Sequence, residues 1–324
     1  MSNDAFECRI WGKSKDLPAG SHYPLLCHLV DTAVMADLLW DTYLSRAQRR
    51  LIARALGVEA DVARRVVAFW AGLHDIGKAV PGWQGQPADL VAALVQVGFP
   101  TPGAVDAAVL GRHEASSQLL VPSLLNGLGW ALDGQRDRVA AVVGGLIAGG
   151  HHGRYAEPSH PSVVADPVAA YPGLGTGGWV EQREAMARVL AAVTGAPPLP
   201  IVRERMPAGV ITVVTGLIIL ADWLVSQEDH LNARVAGAGG VVDTAAVHAW
   251  AAESARYARD LVDEAGLALP ELNDEPVSFA DMFGYIPIAD PNPLQASISR
   301  TARHFLVRSD RTLVAKPLGV QRRR

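Results

Sequence analysis

Apolar residues recur at helical spacing over most of the chain. Between Pro24 and Leu44, the residues Leu25, Leu29, Ala33, Ala36 and Leu39/Trp40 fall on one face, the period expected of a helix. Pro24 suits its first turn, where a missing N–H costs nothing. A second helix is predicted from Asp61 to His74, with Val62, Val66, Phe69, Trp70 and Leu73 together and Gly77 and Pro81 as stops. Shorter helices are predicted over Ala88–Val97 and Ala115–Leu125. Asp137–Gly149 and Gly209–Gln227 are apolar enough to be buried helices, and Val180–Val193 and Thr244–Ala265 are amphipathic. The loop Pro81–Pro87 is rich in Gly, Pro and Gln. The Pro/Gly-rich connection between His152 and Trp179 is long enough to be a functional loop. No alternating run supports a central sheet, and no repeat is visible. The expectation is an all-α fold.

Composition fits this expectation. Hydrophobic residues make up 49% of the 324 positions but aromatics only 6%, so Ala, Leu and Val must build the core, and Ala and Leu are good helix formers. A net charge of -4 gives no global attraction for nucleic acid, so a polyanion would need a local basic patch or a metal. The only cysteines, Cys8 and Cys27, form no C-x-x-C pair, which argues against a thiolate zinc site and fits a reducing cytoplasm. The start of the chain lacks the apolar core of a signal peptide. The most apolar runs, Val139–Ala148 and Gly209–Leu220, are shorter than the ~20 residues a membrane span needs, so no membrane role is expected. Composition shifts near residue 272. A domain is expected over 1–270, with a linker and basic tail over 271–324 that carries Arg300, Arg303, Arg308, Arg311, Lys316 and Arg322–Arg324.

The candidate chemistry centres on His74-Asp75-Ile76-Gly77-Lys78, at the end of an apolar helix. Adjacent imidazole and carboxylate are good ligands for divalent metals, and the two oxygens of Asp75 suit a bridge between two ions. Lys78 lies three residues on, on the same face if the helix continues. The plain alternative is a helix C-terminus where His74 and Lys78 favour the dipole. Other residues shift the balance. His151-His152 follows a strongly apolar helix, and buried imidazoles are costly without partners. His28 lies on or beside the apolar face of the first helix. His113 opens a helix. Asp222 interrupts an otherwise apolar helix, where a carboxylate needs a cation or donors. Singly, each has an ordinary structural explanation; together, five helical segments place His or Asp at buried or terminal positions. A set rich in imidazole suits Mn, Fe, Co or Ni better than Mg.

The order His28, His74-Asp75, His113, His151-His152, Asp222 resembles the HD superfamily of metal-dependent phosphohydrolases. More narrowly it resembles the HD nuclease domain of the CRISPR-associated type I helicase-nuclease. The supporting strings are Trp11-Gly-Lys-Ser14, Tyr23-Pro-Leu-Leu-Cys-His-Leu29, Leu73–Lys78, His151-His152-Gly153 and Ala221–Glu228, and the likeness covers about residues 8–295. The resemblance implies an HD-domain helical bundle around two divalent transition metal ions. One would be held by His28, His74, Asp75 and Asp222, the other by Asp75, His113, His151 and His152. Asp75, Lys78 and Ser226 would be catalytic, with Lys78 positioning the scissile phosphate and Ser226 a polar residue near that site. It further implies endo- or exonucleolytic cleavage of single-stranded DNA in antiviral defence, recruited by a CRISPR surveillance complex. No G-x-x-x-x-G-K-[ST] follows Gln295, so any unwinding is expected from a separate helicase. Two other readings remain open here: an HD phosphohydrolase acting on nucleotides, and a non-catalytic remnant that docks on the surveillance complex.

Overall fold

The computed structural model describes residues 5–86, 88–99, 112–134, 136–157, 160–202 and 204–267. The expected linker and basic tail, 271–324, lie outside the described residues.

Among the described residues the architecture is an all-α bundle with one two-stranded antiparallel ribbon, β1 (Trp11–Lys13) against β2 (Tyr23–Pro24). Its centre is α1 (Leu25–Thr42). Thirteen of its 18 residues are buried, so it is surrounded rather than one-faced. Around it pack α3 (Ala60–Gly72), α10 (Gly178–Thr194), α11 (Ala208–Val225) and α13 (Thr244–Glu264). Between them run α2 (Arg46–Leu56), α4 (Pro81–Gln84), α5 (Ala88–Gln96), α8 (Pro161–Ala165), α9 (Pro167–Ala170) and α12 (Glu228–Ala238).

A second layer is the pair α6 (His113–Gly127) and α7 (Ala140–Gly149). The start of α6 lies beside the end of α7, so the two run antiparallel. Their approach depends on glycine. A Cβ on Gly145 would stand 2.7 Å from the Pro122 ring, and one on Gly149 would stand 2.4 Å from the Gln118 side chain. Because Pro122 and Gln118 sit on α6, side chains larger than hydrogen at these positions would push the two helices, and the histidines at their ends, apart.

Several elements differ from expectation: short helices α4, α8 and α9 form in stretches read as loops, and α12 was not foreseen. The ribbon is too short to leave an alternating pattern. Helix α2 is new, and is fixed by a capping box between Ser45 and Gln48 and a left-handed Gly57. The buried helix expected over Gly209–Gln227 is α11, whose 18 residues are long and apolar enough to cross a membrane by length and composition, although the apolar run Gly209–Leu220 alone was too short for that. Its Val210, Val214, Leu217, Ile218 and Ala221 are buried, and the helix packs on α1.

Candidate metal centre

Five helix ends converge. Helix α3 ends at Gly72, and the chain turns through Leu73, His74 and Asp75 into a single 3-10 turn, Ile76–Lys78. The helix therefore does not continue through the motif, and Lys78 reaches Asp75 around a tighter turn. His28 comes from the first turn of α1, His113 is the first residue of α6, His151 follows α7, and Asp222 lies in the last turn of α11. The turn meets α6 at Gly77. A Cβ there would fall 2.1 Å from the His113 carbonyl oxygen, so only glycine lets Asp75 and His113 come together.

Two groups of side chains present ligand atoms to one another. His28, His74, Asp75 and Asp222 form one; His113, His151 and His152 form the other. His28 Nε2 lies 3.2 Å from Asp75 Oδ2 and 3.2 Å from Asp222 Oδ1. His74 Nε2 lies 3.5 Å and 3.7 Å from the same two oxygens. The other oxygen of Asp75, Oδ1, faces the second group, 3.1 Å from His113 Nε2 and 3.4 Å from His151 Nε2. His152 Nε2 stands 3.0 Å from His113 Nε2. Asp75 therefore addresses one group with each oxygen. All seven metal ligands expected from the sequence are brought together, in the two sets the resemblance implied. His152 alone is exposed; His28 and His74 are fully buried.

These residues fit divalent metal. Both ring nitrogens of His28, Nε2 of His74 and Oδ1 of Asp75 are buried without a hydrogen bond, an expensive state for polar atoms. Donors sharing one cation at ~2.1 Å stand roughly 3.0–3.4 Å apart, close to the spacings here. The tautomers are also set for ligation. His74 Nδ1 donates to the Ala71 carbonyl at 2.8 Å and His151 Nδ1 to the Ala148 carbonyl at 2.5 Å. Each hydrogen bond leaves Nε2 aimed into the cluster.

Electrostatics agree. Burial pushes the Asp75 carboxyl up, but the Lys78 ammonium, His74 and the other imidazoles hold it well below the ordinary range. Asp222 is held low against burial by His28 and His74. Burial lowers His113 and, helped by the charge of Lys13, His28. His74 is the exception: burial opposes its charge, but Asp75 and Asp222 raise it to about 9. The carboxylates are thus favoured as anions and His28 and His113 as neutral imidazoles, the forms in which such groups ligate a metal.

The two polar residues implied as catalytic lie beside the ligands. Ser226 Oγ donates to Asp222 Oδ1 at 2.8 Å. Lys78 Nζ stands 2.6 Å from Asp75 Oδ2 and donates to the Gly12 carbonyl at 3.0 Å. Sequence reasoning gave no role to several neighbours. Gln84, fully buried, donates to the carbonyls of Trp11 and Lys78 and accepts the Trp11 N–H, fastening β1 to the motif. Trp83 packs on the His113 ring at 4.5 Å. Arg183, fully buried and drawn down to about 10 by burial, donates to the carbonyls of Ala79, Leu174 and Gly175. Lys13 sits 3.5 Å from Asp222 Oδ1; its place in Trp11-Gly-Lys-Ser14 was the available signal.

A helical bundle that closes on a His-Asp pair bridging two histidine groups defines an HD-type metal-binding domain. The chain belongs to the family described as Cas3, HD domain, which matches residues 11–231. Among curated relatives, the CRISPR-associated nuclease/helicase Cas3 of Streptococcus thermophilus is 28% identical over 230 residues, 63% of this chain and 23% of that protein. The crystal structure of T. fusca Cas3 with AMPPNP superposes with a TM-score of 0.72 at 34% identity, over 91% of this chain and 31% of that one. A chain of a structure named CRISPR RNA-guided surveillance complex, pre-nicking, superposes with a TM-score of 0.69 at 32% identity, over 93% of this chain and 32% of that one. The chain thus spans about a quarter to a third of the length of these three relatives.

Proposed function

We propose that the chain is a metal-dependent nuclease that hydrolyses phosphodiester bonds of single-stranded DNA in CRISPR type I interference. The observation that carries this reading is Asp75, whose two oxygens face two separate groups of imidazoles, 3.2 Å from His28 and 3.1 Å from His113. One group would take one divalent ion through His28, His74, Asp75 and Asp222. The other would take a second through Asp75, His113, His151 and His152. Such ions polarise a phosphodiester and supply hydroxide at neutral pH. The chain's own residues do the rest. Lys78 keeps Asp75 anionic and oriented. Ser226 fixes the Asp222 carboxylate. The imidazoles of His74 and His151 are locked by backbone carbonyls, so the ligand set is preorganised.

Single strands are favoured for two reasons. Trp223, next to Asp222, is 70% exposed, and an exposed indole offers a surface on which an unpaired base can stack. The relatives are named nuclease/helicases, and a helicase yields single strands. Likeness to a chain within a surveillance complex favours that complex as partner. The imidazole-rich ligand set favours Mn, Fe, Co or Ni over Mg.

Chelator-stripped protein incubated with circular single-stranded DNA, circular duplex DNA and a panel of nucleotides, each with Mn, Co, Ni or Mg restored separately, tests the reading. Cleavage of the single-stranded circle with Mn, Co or Ni, and little with Mg, is expected. Rapid duplex degradation without a partner, turnover of nucleotides alone, or full activity in chelator would overturn it.

A further inference from the structure

We propose that Lys13, rather than Lys78, is the ammonium that meets the substrate phosphate. This rests on the phosphodiesterase reading above and names one contact within it.

The two lysines flank the same cluster but are held differently. Lys78 is 5% exposed. Its ammonium pairs with Asp75 Oδ2 at 2.6 Å, donates to the Gly12 carbonyl at 3.0 Å and lies 5.6 Å from the Trp83 ring centroid. For Lys78 to turn to a phosphate, it would have to break a short buried ion pair and its hydrogen bond to the Gly12 carbonyl. Its work is to hold Asp75.

Lys13 is open. Its side chain is 25% exposed, and its ammonium stands 3.5 Å from Asp222 Oδ1, longer than a tight charge-assisted hydrogen bond. That same oxygen is the one that His28 and His74 face. The ammonium therefore borders the first ligand group from the solvent side and is held there by charge, without a close bond to break.

The backbone that carries it is rigid. Gln84 pairs with both backbone polar groups of Trp11, the Trp11 and Trp83 rings lie 5.7 Å apart, and the Gly12 carbonyl takes the Lys78 ammonium. A Cβ on Gly12 would stand 3.3 Å from His28 Cβ and 3.1 Å from the Leu25 Cα, so the strand rests directly on the first turn of α1. The residue that follows is thus fixed against both halves of the first ligand group, while its side-chain end stays free to move. With Asp222 holding a cation, its pull on Lys13 would weaken, and a substrate phosphate would become the better partner for the ammonium.

The rival account makes Lys13 a counter-ion that merely steadies Asp222. Manganese-loaded full chain carrying Lys13→Met, Lys13→Arg or Lys78→Met separates the two. Three quantities are measured: manganese affinity by calorimetry, affinity of the loaded protein for thymidine 5′-monophosphate, and kcat and KM on single-stranded DNA. The Lys13→Met protein is expected to bind manganese at least as tightly as the parent. It should bind the nucleotide about tenfold or more weakly, the scale of one lost charged hydrogen bond, with KM raised. Lys13→Arg should restore nucleotide affinity to within about threefold, since the charge and a donor remain, while Lys78→Met should lose manganese. Parental nucleotide affinity in Lys13→Met, or manganese lost in step with the nucleotide, overturns the assignment. If the parent cleaves no phosphodiester but its nucleotide affinity still depends on Lys13, the nuclease reading falls and the phosphate contact stands.

Discussion

The backbone N–H of Gly77 donates to Ser117 Oγ at 2.9 Å, joining the motif turn to α6 one turn beyond His113. This contact sets the distance between the two ligand groups, because it lies between Asp75 and His113. A methyl at Gly77 would meet both the His113 carbonyl and the Ser117 N–H, at 2.1 and 2.4 Å, and neither is a flexible side-chain end. Gly77→Ala is therefore expected to destabilise the metal-free fold by about 1–3 kcal/mol or more. It should also lower the number of manganese ions bound, since α6 must retreat from Asp75. Chemical denaturation and metal titration measure the two effects; unchanged stability together with unchanged stoichiometry would refute the account.

Asp75 is the one carboxylate shared by both groups, so Asp75→Asn should weaken binding at both. Orienting partners of metal ligands already contribute 10–100-fold in affinity, so removing the shared ligand should reduce metal-dependent cleavage by at least about 100-fold. The metal-free variant should also be less stable by about 3 kcal/mol, since the buried Lys78 ammonium keeps no anion beside it. Removing Lys78 as well, in Asp75→Asn/Lys78→Met, should return part of that stability without returning activity. Metal-dependent cleavage at the parental rate in Asp75→Asn would sink the shared-ligand reading.

Much of this was legible in the sequence, for identifiable reasons. Helices α1, α3 and α13 repeat apolar residues at the helical period, and α7 and α11 are apolar throughout, so both kinds announced themselves. The ligands did so because an imidazole or carboxylate at the end or inside of an apolar helix is expensive without a partner. What the sequence concealed depends on distance or on short length. Helix α2 carries four arginines, which mask its apolar stripe, although Ser45-x-x-Gln48 marked its start. Lys78 was placed by assuming that the helix ran on; the chain instead leaves α3 at Gly72 and turns the ammonium inward. Asp31 stands out as a charge in a buried helix, but its partner Arg234 is 203 residues away, and no local pattern links them.

Trp223 tests the preference for single strands. The indole is 70% exposed, so Trp223→Ala should change stability by no more than about 0.5 kcal/mol. If the ring stacks on a base, affinity for a single-stranded oligonucleotide should fall by about 1–3 kcal/mol, with Trp223→Phe losing less. Fluorescence anisotropy with a short oligonucleotide, in the presence of metal, reads the difference. Equal affinity for the parent and the alanine variant would remove Trp223 from the substrate path and leave the single-strand preference without its structural support.

Asp31 is one of the carboxylates through which the fold responds to acid. Fully buried one turn after His28, it accepts hydrogen bonds on Oδ1 from Arg234 at 3.0 Å, Trp250 at 2.9 Å and Ser254 at 2.6 Å, and on Oδ2 from Tyr23 at 2.6 Å. Arg234 is itself stacked between the rings of Trp250 and Tyr257, so this one carboxylate ties α1, α12 and α13 together. Burial pushes the Asp31 carboxyl up, but His230, Arg234, Ser254 and Tyr23 outweigh it and hold the group below its ordinary value. In the unfolded chain it titrates near ~3.9. Acid therefore protonates the unfolded chain first. The stabilisation is complete above about pH 5 and is lost as pH falls through ~3.9 toward the lower folded value. Asp31→Asn removes this dependence and leaves the Arg234 guanidinium buried without its anion, which should cost about 3–5 kcal/mol at pH 7. The acidic ligands Asp75 and Asp222 also lose stability in acid, but equally in both proteins, so the difference between them isolates Asp31. Urea unfolding of metal-free parent and variant from pH 7 down to pH 3 should show two curves that converge as pH falls. A constant gap across that range would mean that the Asp31 carboxylate is not what the acid titrates.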